Sequence, residues 1–233
     1  ASAGWRDVHV RLSGPRQAEV AAAFKRLWQR VHLRRRPRHT RWRLRDMLSS
    51  RAEQIDFFDS RPWFKYHQPS RVLAPLVRRA RRSITVSMAY FIPEGRVLRE
   101  LLRAAKRGVK VRVIIPGKSD VRAVQWATRH LYARLLKRGI RIYERQDQML
   151  HSKVMVIDDA RSVIGSCNLD PRSLRINLEF LAVIHSRAMA RALNRIACFE
   201  LRNSRRITLA DDLRRTWVER LLDRIAWSFR RWL

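Results

Sequence analysis

From residue 71 onward the apolar positions switch between a spacing near 3.6 and a spacing near 2, as helices and strands do when they alternate. The spacing predicts a helix over 71–81, a strand over 83–90, a helix over 94–107 closed by Gly108, and a strand over 109–115. A Pro116-Gly117 turn follows. Beyond it the pattern predicts a helix capped by Asp120 and closed by Gly139, then short strands at 140–143, 153–157 and 162–165. Residues 177–184 read as another buried strand, leading into a helix through Phe199. Alternation of this kind implies an α/β fold, a sheet covered by helices on both faces.

The two ends of the chain read differently. Residues 8–12 alternate like a strand, and Ser13-Gly14-Pro15 opens a helix with Val20, Ala23, Phe24, Leu27 and Val31 on its apolar side. A last helix, from about Leu209, spaces Leu213, Trp217, Leu221, Ile225 and Phe229 four apart, with Arg215, Arg220, Arg224 and Arg231 flanking or opposing them. The same stripe suits packing on the domain or lying in a membrane interface. Trp217, Trp227 and Trp232 favour the interface.

Charge narrows the class of partner. Lys and Arg number 52 against 20 Asp and Glu, a formal charge of +32, so a lasting partner is expected to be anionic: acidic lipid or nucleic acid. The stretch from Arg34 to Arg45 holds seven arginines without an apolar period and reads as a basic loop. Cys167 and Cys198 give neither a disulfide framework nor a zinc spacing, and both are expected to be buried thiols in a reducing compartment. No apolar run approaches the roughly 18–20 residues that a spanning helix needs, so membrane contact is expected to be peripheral. The opening Ala1-Ser2-Ala3, without methionine or an apolar leader, suggests a fragment or a processed product.

The chemistry gathers at His151-Ser152-Lys153, where strand alternation turns an imidazole and an ammonium to one side. Gly165-Ser166-Cys167-Asn168 adds a tight turn and two hydrogen-bond donors suited to a phosphoryl oxygen. Glu179 lies on an apolar strand, where a carboxylate needs a partner, and His151 is the partner expected. The histidines at 9, 32, 39, 67, 130 and 185 have no such context and are expected to be structural or solvated.

His151-x-Lys153-x4-Asp158, then Gly165-Ser166-x-Asn168 and Glu179, resembles the HKD signature of the phospholipase D superfamily. Tyr90-Phe91-Ile92-Pro93, Pro116-Gly117-Lys118-Ser119-Asp120, Gly139-Ile140-Arg141-Ile142-Tyr143-Glu144 and Asn168-Leu169-Asp170-Pro171-Arg172-Ser173 make it similar to bacterial cardiolipin synthases. The resemblance implies a phospholipase D-like mixed sheet flanked by helices. It also implies a phosphatidyltransferase, free of metal and cofactor, that moves a phosphatidyl group to phosphatidylglycerol through a phosphohistidine. In its catalytic set of His151, Lys153, Asp158 and Glu179, the resemblance makes Lys153, Ser166 and Asn168 hold phosphate, Glu179 orient His151, and Asp158 support its loop. Whether His151 attacks phosphorus or transfers protons stays open, with proton transfer preferred. An HKD nuclease is the alternative, nucleic acid being the less favoured partner.

Such sites use two motifs, and one is present. The segment from Trp5 resembles the stretch just past a first motif and echoes the segment at Asn177, so Asp7 corresponds to Glu179 and is expected to orient a histidine upstream of residue 1. The resulting division has residues 1–33 as the tail of a first half-domain, 34–69 as a basic loop and linker, 70–206 as the second half-domain and 207–233 as a basic amphipathic helix. A separate first half or a homodimer partner is expected to complete the site, the isolated half being inactive. The expected place is the cytoplasmic side of a bacterial membrane, on anionic lipid.

Overall fold

The computed structural model describes residues 4–33, 54–60 and 68–233. These fall into two units, residues 1–8 with 51–233 and residues 9–50. The smaller one contains helix α1 (Gln17–Leu33), whose entry is fixed by a pairing of Arg16 Nε with Glu19 Oε1 at 2.6 Å. Residues 8–12 form no strand. The basic stretch from Arg34 to Arg45, and His39 and His67, lie outside the described residues.

The larger unit contains β1 (Trp5–Arg6), β2 (Gln54–Asp59), α2 (Ser70–Arg78), β3 (Ser83–Met88), α3 (Gly95–Lys106) and β4 (Lys110–Pro116). It continues with α4 (Arg122–His130), α5 (Tyr132–Leu136), β5 (Arg141–Arg145), β6 (Met149–Leu150), β7 (Lys153–Ile157) and β8 (Arg161–Gly165). Last come α6 (Pro171–Arg175), β9 (Phe180–His185), α7 (Arg187–Arg202), β10 (Ser204–Ile207), α8 (Leu209–Leu213) and α9 (Trp217–Ser228). Eight strands form one mixed sheet in the order β10-β5-β4-β3-β7-β8-β9-β2, with β3, β4 and β5 parallel and the other pairings antiparallel.

The central strands are buried on both faces. In β3, Ile84, Val86 and Met88 are enclosed, and so are Thr85 and Ser87 between them. On one face Val154 and Val156 of β7 pack against Ala190 and Leu193 of α7, so alternation turns Lys153, Met155 and Ile157 to the other side. Burying an aliphatic side chain stabilises by about 1.5–3 kcal/mol, and this alternating set supplies most of the drive to form the sheet.

Several expectations need correcting. The stretch assigned to a linker contains β2, an edge strand whose buried Asp56 meets His185 Nε2 at 3.2 Å. The helix expected from Asp120 to Gly139 is broken at Leu131 into α4 and α5, and its N-cap is Val121. Cys167 is buried, whereas Cys198 is exposed. The last helix divides into α8 and α9, because Thr208 and Thr216 each close a capping box and so begin a new helix. Among the described residues no helix is long and apolar enough to cross a membrane.

Candidate active site

β1 sets the position of the first site residue. It pairs in parallel with β6, with Arg6 opposite Leu150, and the His151 N–H donates to Arg6 O at 2.7 Å. The residue after Arg6 is thereby brought beside the residue after Leu150. Asp7 Oδ2 accepts from His151 Nδ1 at 2.9 Å, and the Trp5 ring lies 4.7 Å from the imidazole, tilted by 57°. Arg6 secures the strand: its Nε donates to buried Glu200 at 3.0 Å, and Arg145, itself buried, donates to the same carboxylate at 2.6 Å.

Lys153 Nζ lies 3.0 and 2.9 Å from the two ring nitrogens of His151 and donates to the His151 carbonyl at 2.6 Å. Half-burial pushes its pKa below the usual lysine value, opposed by the charges of Asp7, Glu179 and Asp120. Partial burial works to raise the Asp7 carboxyl, but the His151 contact, the Val8 N–H and the Lys153 charge outweigh it and hold the pKa below its ordinary value. Nδ1 is engaged by the ionised Asp7 carboxylate, which leaves Nε2 as the ring nitrogen that can exchange a proton with a substrate. The His151 and Asp7 side chains are 30% and 31% exposed, so a substrate can reach the pair.

Glu179 does not meet His151. Its Oε2 accepts from Ser166 Oγ and its Oε1 from Asn177 Nδ2 at 3.3 Å. Its backbone is fixed by Ser60, whose Oγ accepts the Glu179 N–H at 2.6 Å and whose own N–H donates to the Glu179 carbonyl at 2.7 Å. Asp7, expected to serve a histidine elsewhere, is the partner of His151, and Glu179, expected to orient His151, pairs with Ser166 and Asn177. The parallel β1–β6 pair is the reason.

Ser166 follows Gly165, where any Cβ would run into the Phe180 carbonyl of β9; only glycine fits this crossing. Asn168 is held by the Tyr90 N–H, which donates to its Oδ1 at 3.4 Å, leaving the amide NH2 as the donor for a ligand oxygen. Tyr90 in turn donates its hydroxyl to Asp120 at 2.9 Å, and burial with that carboxylate pushes its pKa up to about 12. Asp120, read from the sequence as a helix cap, therefore belongs to the rim of the site. Asp158 lies at the end of β7 opposite His151, where it accepts the N–H groups of Arg81, Arg82 and Ser83 at 2.7–3.1 Å with its own φ at 55°. Seven residues of extended chain separate it from His151 by roughly 20 Å, so it braces a turn and does not reach the imidazole. Among the described residues no cluster of three His, Cys, Asp or Glu side chains is placed to hold a metal ion.

Ser60 and Glu200 carried no sequence signal, and Trp5 and Arg6 entered only as part of a resembling segment, since each acts through a contact with a distant segment. Asp120 stood in a recognisable string, but its partner Tyr90 is 30 residues away.

Comparison with known proteins identifies the family and the fold. Cardiolipin synthase A of Proteus mirabilis is 27% identical over 229 residues, which cover 97% of this chain and 46% of that protein. The chain thus spans about half the length of the curated relatives it matches. Phosphatidylserine synthase from Haemophilus influenzae superposes with a TM-score of 0.63 at 12% identity, over 77% of this chain and 48% of that one. The phospholipase D family member Nuc from Salmonella typhimurium gives 0.57 at 21% identity, over 66% of this chain and 98% of that one. Both share the phospholipase D-like fold. The model for "Cardiolipin synthase, PLD-like domain" matches residues 73–197, more than half of the sequence, including β6 and β7 on either side of His151. On that match, the chain belongs to the cardiolipin synthase family of phospholipase D-like domains.

Proposed function

We propose that this chain supplies one half of a phosphatidyltransferase site, acting on anionic phospholipid in a membrane and joining a phosphatidyl group to the head-group hydroxyl of phosphatidylglycerol. The observation that carries the reading is the reachable Asp7–His151 pair with the Lys153 ammonium within 3.0 Å of the imidazole. This set couples a proton carrier to a cation suited to a phosphoryl oxygen.

In the first step a second histidine attacks phosphorus, the bond to the leaving alcohol breaks, and His151 gives that oxygen a proton. In the second, the acceptor hydroxyl attacks, the phosphorus–nitrogen bond breaks, and His151 takes the hydroxyl proton. Asp7 stabilises the imidazolium that each turnover passes through. Lys153, Ser166 and the Asn168 amide hold the non-bridging oxygens as their charge grows. Asp7 serves His151 and corresponds to Glu179 by repeat, so Glu179 is assigned to the second histidine. That histidine comes from another half-site, in a longer polypeptide or in a second copy.

The test incubates the chain, alone and with a polypeptide carrying a second His-x-Lys motif, with phosphatidylglycerol vesicles and separately with DNA. Cardiolipin appearing only when the second motif is supplied, and lost in His151→Ala, supports the reading. Cut DNA with no lipid product overturns it in favour of a nuclease, and cardiolipin formed at full rate by the isolated monomer removes the need for a second half.

A further inference from the structure

The face that α9 leaves in solvent is unusual for a packed amphipathic helix. The helix is held by its other side: Ala226 and Trp227 join Ile92, Val124 and Ala127 in a small core, Asp223 pairs with Arg215 at 2.6 Å, and His130 stacks on Trp227 at 5.0 Å. The four-residue stripe therefore does not face the domain. Trp217, Leu221, Ile225 and Phe229 are all exposed, at 74%, 46%, 48% and 60%, and Trp232 beyond them is 81% exposed. At 3.6 residues per turn, Trp217 to Phe229 fill an arc of about 120°. Arg220, Arg224 and Arg231, all exposed, follow one edge of that arc.

The acidic residues of this region are engaged elsewhere. Asp211 and Glu219 close the two capping boxes, and Asp212 and Asp223 pair with Arg215. What is left is an apolar strip, aromatic at both ends, with a cationic edge. Arginine heads reach phosphates while tryptophan rings settle at the level of the head groups. The charge matches one occupant better than any other.

We propose that the exposed face of α9 is a docking surface for an anionic lipid bilayer. It extends the phosphatidyl-transfer reading by naming where the chain meets the lipid surface. The support of α9 is also the support of the site rim, because the Ile92 core includes Tyr90, whose N–H fixes Asn168. Docking through this face joins the phosphate-holding end of the site to the membrane surface through one packed segment.

The experiment uses the His151→Ala chain, so that binding is read without turnover and independently of the reaction assigned above. Flotation is measured with vesicles of phosphatidylglycerol and phosphatidylcholine and with phosphatidylcholine alone. Trp217→Ser combined with Ile225→Ser and Phe229→Ser, all at exposed positions, is expected to lower partitioning onto the mixed vesicles at least about tenfold with an unchanged melting curve. Arg224→Gln with Arg231→Gln is expected to reduce the preference for the anionic vesicles. Unchanged partitioning of the triple variant overturns the proposal. So does unchanged partitioning accompanied by a change from dimer to monomer in sedimentation, which assigns the face to a second copy. Should the triple variant fail to fold, a polarity-sensitive label at Ile225→Cys, in a Cys198→Ser background, decides: a blue shift on adding mixed vesicles supports docking, and no shift refutes it.

Discussion

Lys153 has the most direct pH consequence at the scale of single residues. Burial disfavours its charged form, so the folded pKa lies below the ordinary 10.5. The burial penalty is fully present below the folded pKa and is relieved as pH rises through it toward 10.5. The ammonium proposed to hold the phosphoryl oxygens is lost over the same window. Phosphatidyl transfer is accordingly expected to decline on the alkaline side at a pH below 10.5, and a pH–rate profile with its alkaline limb at or above that value counts against the role. Asp158 gives the opposite kind of test. Its carboxylate accepts three backbone N–H groups, and hydrogen bonds to a charged group contribute about 1.5–3 kcal/mol each, partly shared in a fork of this sort. Asp158→Ala is expected to lose about 2 kcal/mol in urea unfolding while turnover per folded molecule stays near wild type. His151, Lys153 and Asp158 were legible because they lie in one short string. The carboxylate that meets His151 was not, because Asp7 is 144 positions away and its place depends on a two-residue strand pairing.

Most strands and helices from 70 to 202 were legible because each buries a continuous apolar face, within a few residues of its predicted bounds; the break at Leu131 and the short α6 were not. β1, β2, β6 and β10 were not. β1, β6 and β10 have two to four residues, too few for periodicity to show, β2 lacks a clean alternation, and all four exist through pairing with distant partners. Their anchors are correspondingly polar. Glu200 in α7 takes both Arg6, which fixes β1, and the enclosed Arg145, which closes β5. Glu200→Gln leaves a buried guanidinium half-compensated, and a loss of about 3 kcal/mol in stability is expected. It also loosens Asp7, so activity measured on the remaining folded protein is expected to fall. A variant with wild-type activity and an unaltered melt would show that the network does not position β1.

For the whole molecule, charge and fold point the same way. A formal charge of +32 draws the chain to any anionic surface, and the phospholipase D-like sheet presents His151 and Lys153, the pair proposed to handle phosphate, at the start of β7. Charge alone did not choose between lipid and nucleic acid; the family match and the exposed face of α9 favour lipid. Sequence pattern had left two docking modes for that last helix, because an apolar stripe looks the same whether it is buried or bare. Packing by Ala226, Asp223 and Trp227 separates them, since these lie off the stripe.

The central claim is that His151 carries the proton in phosphatidyl transfer, and chemical rescue tests it most directly. In a preparation that holds the second half-site, His151→Ala is expected to slow cardiolipin formation about 10²–10⁴-fold, with part of the rate restored by free imidazole. Cardiolipin formed by His151→Ala at the wild-type rate, without imidazole, would contradict it.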